Sequence, residues 1–114
     1  MISLASYEDF ENLNILVGRV VRIEDFPEAK KPAYKLWIDF GKSGVKQSSA
    51  QITKLYTEEQ LLGRKVIAVT GFPPKQISDF ISEVLVLGVL NSQGNVVLLN
   101  LDNEQGIEPG SRIC

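Results

Sequence analysis

The chain has 114 residues, 44% of them hydrophobic and 23% charged, with a formal net charge of -2. That length suits one domain with its own apolar core, so residues 1–114 are read as a single domain. There is no histidine and one cysteine, Cys114, which excludes a histidine-based zinc site, a Ser-His-Asp triad, a Cys-His pair and an internal disulfide.

The segment "SYEDFENLNI" opens with Ser6 as a helix N-cap and has Asp9 three residues on, a form of the capping box. Tyr7, Phe10 and Leu13 recur at helical spacing, which predicts a short helix over Tyr7–Leu13, packed on the main body. The N-terminus lacks the basic region and the continuous apolar region of a signal peptide. The longest apolar run, Val84–Leu90, is too short to cross a bilayer. A cytoplasmic location without membrane insertion is therefore expected.

"ILVGRVVRIEDF" alternates, with Leu16, Gly18, Val20 and Arg22 on one face and Val17, Arg19, Val21 and Ile23 on the other. This predicts the first strand, with a bulge or bend at Gly18. "FPEAKKPA" is a loop punctuated by Pro27 and Pro32. In "YKLWIDFG", Tyr34, Leu36, Ile38 and Phe40 share one face of a second strand, and Lys35, Trp37 and Asp39 the other. Gly41 to Gly44 turns the chain into a third strand, Val45–Ala50. "YTEEQLLG" reads as a short helix, with Thr57 at the N-cap, Gln60 at the third helical position and Gly63 past the end. "RKVIAVTGF" is a fourth strand and "PPKQIS" a loop. "SEVLVLGVLN" and "NVVLLNL" are apolar strands joined by "SQG", and "IEPGSRIC" is a turn with a final short strand.

The expected class is all-β, with six or seven short strands. A meander with a helix between strands three and four is the chain order of an OB-fold, a five-stranded Greek-key barrel. Here it carries a short N-terminal helix and extra C-terminal strands.

Charge is distributed unevenly. Residues 30–54 hold six lysines against Asp39, whereas residues 76–114 hold Arg112 against five carboxylates. The ligand face of an OB-fold is built on strands two and three, where the lysines lie. The polar stretch "KQSSAQITKLY", Lys46–Tyr56, falls in the same region. Small hydroxyls such as Ser48 let a ribose or phosphate approach, Lys35 and Lys46 supply charge, and Trp37 offers a stacking platform.

Catalytic motifs fail on context. "GKS" at Gly41–Ser43 has Leu36 where a phosphate-binding loop needs its first glycine, and reads as a hairpin turn. Lys46 beside Ser48 and Ser49 lacks a glycine cluster for an oxyanion hole. No catalytic residue, metal or cofactor is assigned. The strands "EVLVLGVL" and "NVVLLNL" carry more apolar residues than one small barrel can enclose. They predict a two-fold interface shared with the N-terminal helix and the C-terminal segment.

Several motifs in order carry a family resemblance: "VGRVVRIEDFPEAKKPAYKLWIDFG", "KQSSAQI", "LLGRKVIAVTGFPP", "SEVLVLG" and the terminal "PG". They resemble the tRNA-binding domain that is appended to some aminoacyl-tRNA synthetases and to EMAPII-type cytokine precursors. Within that family the versions of "FPEA", "IDFG", "KQSSAQI", "FPP" and "SEVLVLG" are most similar to stand-alone bacterial CsaA-type proteins. The resemblance implies an OB-fold homodimer that binds tRNA or related structured RNA. For the CsaA type it also implies a chaperone that takes unfolded or export-bound polypeptides in protein secretion. Carried over, the RNA-contacting residues are Lys35, Lys46, Lys75, Ser82 and the apolar Leu85, with Ser48 beside them. A peptide would instead take apolar grooves near Trp37, Phe72 and Phe80. The chain departs from the family pattern in the weakly basic loop after "FPP", and at Gly71, where asparagine is common.

Overall fold

The computed structural model describes residues 3–114. Helix α1 spans Tyr7–Leu13. The Ser6 hydroxyl accepts from the Asp9 N–H at 3.0 Å and the Asp9 carboxylate accepts from the Ser6 N–H at 2.8 Å. This reciprocal pair satisfies donors that a first helical turn leaves free. The helix packs only partly on the body: Phe10 and Leu13 are half-buried, and Tyr7 stays exposed.

A meander follows: β1 (Ile15–Asp25), β2 (Tyr34–Asp39) and β3 (Val45–Ala50). Helix α2 (Glu58–Leu61), started by a Thr57–Gln60 capping box, leads into β4 (Lys65–Val69). The remaining strands are short: β5 (Lys75–Ile77), β6 (Phe80–Ser82), β7 (Leu85–Val86), β8 (Gly88–Leu90) and β9 (Val96–Leu98). The main sheet has the order β3-β2-β1-β4-β7 with antiparallel neighbours, and β5-β6 and β8-β9 form separate ribbons. The sheet curls into a nearly closed five-stranded barrel, the OB-fold, with α2 between its third and fourth strands.

Among the described residues there are nine strands, and three segments differ from their expected form. "PPKQIS" is not a loop: it supplies β5, which turns through Ser78 in the left-handed region (φ 56°) into β6. The expected strand "SEVLVLGVLN" breaks into the two short pieces β7 and β8, and the expected final strand of "IEPGSRIC" is reduced to a single bridge between Arg112 and Leu16.

Leu36, Ile38 and Phe40 are fully buried and pack with Leu16, Val20, Val66, Ala68 and Leu61 in the barrel core. Gly18 lies among them. A Cβ there would sit 2.4 Å from Ile38 Cγ2 and 2.6 Å from Phe40 Cε1, so close packing requires glycine at this position. The bulge expected at Gly18 lies further on. Val20 faces Ile38 and Arg22 faces Trp37, which leaves Val21 as the extra residue. The slip takes Arg22 out of the expected phase of Val20 and onto the outer face, opposite Trp37. Gly71 has a similar steric cause: a Cβ there would meet the Asn12 carbonyl oxygen at the end of α1.

The barrel closes through three side-chain bonds and one main-chain bond. The Gln47 N–H donates to Glu83 Oε1 at 3.0 Å, and the Glu83 N–H donates back to the Gln47 carbonyl at 2.8 Å. Ser82 Oγ accepts from the Ser49 N–H at 3.0 Å, and the Gln47 amide donates to the Ile81 carbonyl at 2.7 Å. These bonds join the outer edge of β3 to residues 81–83, where a regular ladder is absent.

Candidate nucleic-acid interface

β3 alternates strictly: Ser48 and Ala50 point inward opposite Leu36 and Tyr34, while Gln47 and Ser49 point outward opposite Trp37 and Lys35. Ser48 is fully buried, and its hydroxyl donates to the Val84 carbonyl at 2.9 Å. The expected RNA contact by Ser48 is therefore corrected. Its hydroxyl pins residue 84 to the closing strand, because a buried hydroxyl must find a partner inside. Lys46 pairs with Ile38 and shares Ser48's phase, so it lies on the opposite sheet face from Lys35. The two lysines do not form one patch.

Lys35 is also committed locally. Its side chain is 18% exposed and its ammonium lies 4.9 Å from the Phe26 ring, 5.4 Å from the Phe80 ring and 3.9 Å from Glu28. Phe80 is buried in this aromatic cluster, edge-on to Phe26 at 5.4 Å and to Trp37 at 5.9 Å. The expected peptide contact by Phe80 is corrected accordingly: the ring anchors the β5–β6 ribbon to the outer face of the barrel. Trp37 is half-buried on that face.

The other expected residues do meet. Lys75, Ser82, Leu85 and Phe72 line one cleft of about 620 Å³, together with Ile52, Val84, Val86 and Val96. Ser49 and Ala50 of β3 and Leu85 and Val86 of β7 stand in its walls. The Ser82 hydroxyl faces both ways, accepting from β3 and lying within 3.5 Å of the Val84 carbonyl. A second cleft of about 670 Å³ is lined by Lys30, Lys31, Lys75, Glu28, Gln76 and Ser78. Ser49, Gln51, Lys75 and Ile77 belong to both walls, so the clefts adjoin. Lys30 and Lys31 line this cleft, although the family motifs single out neither. The paired lysines of "AKK" between two prolines were the available signal. Among the described residues, no group of three or more Cys, Asp and Glu side chains is placed to hold a metal ion. No helix among them is long and apolar enough to cross a membrane.

Tyr34, on β2, lines neither cleft but has a shifted phenol. Tyr34 donates to the Tyr56 carbonyl at 2.9 Å, and burial, then the Glu58 and Asp25 carboxylates, push its phenol above the ordinary value.

An OB barrel with an apolar cleft joined to a lysine-lined one has the build of a binding domain. The chain belongs to the tRNA-binding domain family: the family described as "Putative tRNA binding domain" matches residues 15–112. It is 35% identical over 103 residues to the methionine–tRNA ligase of Methanocaldococcus jannaschii, and 35% identical over 109 residues to that of Archaeoglobus fulgidus. The matches cover 90% and 96% of this chain but only 15% and 16% of those ligases. Among solved structures, the CsaA chaperone protein of Picrophilus torridus is 52% identical with a TM-score of 0.88, covering 97% of this chain and 100% of that one. The chaperone CsaA of Bacillus anthracis str. Ames is 48% identical with a TM-score of 0.89, covering 98% and 100%.

Proposed function

We propose that the chain is a non-enzymatic, cytoplasmic RNA-binding protein that holds tRNA or another structured RNA across the two joined clefts. The observation that carries this is their shared wall of Ser49, Gln51, Lys75 and Ile77. A nucleotide strand alternates apolar base faces with anionic phosphates. Crossing that wall, it sets a base against Phe72 and Leu85 and phosphates against Lys30, Lys31 and Lys75. Three phosphate contacts predict a roughly 20- to 40-fold loss of affinity between 50 and 200 mM salt. Lys75→Glu should weaken binding and flatten that slope by about one unit. Fluorescence anisotropy with a labelled tRNA at both salt concentrations reads this. Salt-independent binding, or a Lys75→Glu chain that binds as the wild type does, overturns the reading.

A second reading rests on the apolar lining of the first cleft and on the chaperone names of the relatives. An unfolded or export-bound polypeptide would lay apolar side chains against Phe72, Leu85 and Val86. Its affinity would barely respond to salt or to Lys75→Glu. The same anisotropy experiment with a labelled, reduced and carboxymethylated polypeptide separates the two. Both readings take the working unit to be a homodimer.

A further inference from the structure

Arg22, like Lys35, is a cation of the outer face that lines neither cleft. The Arg22 guanidinium carbon lies over the Trp37 ring, 4.4 Å from its centroid. The indole is held from another side by Phe80, whose ring meets it edge-on at an interplanar angle of 84°. Glu24 pairs with the same guanidinium. Even so, the Arg22 side chain is 62% exposed, so the planar group lies on an anchored ring with much of its surface open to solvent.

Three observations give this arrangement a purpose. The bulge at Val21 is what brings Arg22 to the outer face, since regular alternation would have kept it in the phase of Val20. Bulges gather beside functional sites because they re-aim a side chain. Next, Glu24 balances the charge of Arg22, so the pair attracts a phosphate weakly while the flat guanidinium stays available. Proteins that read single-stranded RNA stack unpaired bases on arginine planes as well as on aromatic rings. Last, the platform is continuous with the clefts. Trp37 pairs with Gln47, and Ser49, two residues along β3, lines both clefts. That separation is roughly 7 Å along the strand.

We infer that Arg22, backed by Trp37, is a stacking plate for one unpaired base of the bound RNA. This rests on the RNA-binding reading above and adds a contact outside both clefts. Trp37 is the only tryptophan, so its emission reports on the plate directly. The full-length chain is titrated with tRNA while Trp37 emission and the anisotropy of labelled tRNA are followed. tRNA should change the emission. Arg22→Lys keeps the charge but removes the plane, and should weaken tRNA binding roughly 5- to 150-fold, the span of one base stack, with the salt slope unchanged. Thermal melts of both chains check that the exposed substitution leaves the fold intact.

Four outcomes overturn the inference, and they are distinguishable. If Arg22→Lys binds as wild type while Arg22→Gln flattens the salt slope, Arg22 is a phosphate contact. If tRNA binds with no response from Trp37, the plate is elsewhere and the RNA reading stands. If tRNA does not bind the wild type at all, both readings fall. If the carboxymethylated polypeptide moves Trp37 and tRNA does not, the face serves peptides.

Discussion

Replacing Ser48 with alanine separates a structural role for "KQSSA" from a ligand-binding one. The hydroxyl is buried and donates to the Val84 carbonyl at 2.9 Å. Its removal forfeits a net hydrogen bond of about 0.5–1.5 kcal/mol and leaves an inward carbonyl short of a partner. The Ser82 hydroxyl, 3.5 Å from the same carbonyl, offsets part of that loss. A total of about 1–2 kcal/mol follows, without a large cavity term because only one oxygen is deleted. For 114 residues the unfolding entropy at the midpoint is about 240 cal/mol/K, so the melting temperature should fall by roughly 4–8 °C. Calorimetry measures that fall, and anisotropy at 20 °C should give tRNA affinity equal to wild type. An unchanged melting temperature would refute the closure role. Normal stability with lost tRNA binding would place the hydroxyl back in the ligand site.

Gly18→Ala drives a methyl group into Ile38 and Phe40, both fully buried, and should cost about 1–3 kcal/mol, seen as a lower urea midpoint at unchanged m-value. Tyr34→Phe should cost about 1 kcal/mol at neutral pH by losing the bond to the Tyr56 carbonyl. Because the folded phenol titrates above the unfolded one, this contribution is complete below pH 10 and is lost as pH rises through the folded value. Urea midpoints of the two chains should therefore converge at alkaline pH, and a gap that stays constant would contradict the shift. Val89 and Leu90 on β8 are 58% and 68% exposed, beside Val97 on β9. Light scattering should find a dimer that becomes a folded monomer in the double variant Val89→Asp, Leu90→Asp, and a monomeric wild type would dismiss the two-fold interface.

Much of the fold was legible because it depends on short-range chemistry. Ser6 with Asp9 and Thr57 with Gln60 mark both helix starts, and the alternation of Tyr34–Asp39 gives β2 residue by residue. What stayed hidden depends on partners distant in sequence. The β5–β6 ribbon has three residues on each side and no periodicity, and it holds its place through Phe80 among Phe26, Ala33 and Trp37. The bulge looked like a property of Gly18, but glycine answers to the Phe40 ring while Val21 carries the slip. Charge and motif do not show what a lysine packs against. Lys35 is taken up by two rings and Glu28, whereas Lys30 and Lys31 of the β1–β2 loop converge with Lys75 of β5. Arg22 was missed because a one-residue slip reverses its face, which no local pattern announces.

The closing bonds of β3 also bear on how the molecule keeps to itself in a crowded cell. A strand at the end of a sheet presents main-chain donors that another chain can adopt, the first step of edge-to-edge aggregation. On β3 the Gln47 and Ser49 N–H groups are already taken by Glu83 and Ser82 of the same molecule. The polar letters of "KQSSA" and the "SE" that opens "SEVLVLG" thus act as a matched pair that denies the edge to strangers. A chain with Ser82→Ala and Glu83→Ala should turn cloudy on mild heating, under conditions where the wild type stays clear.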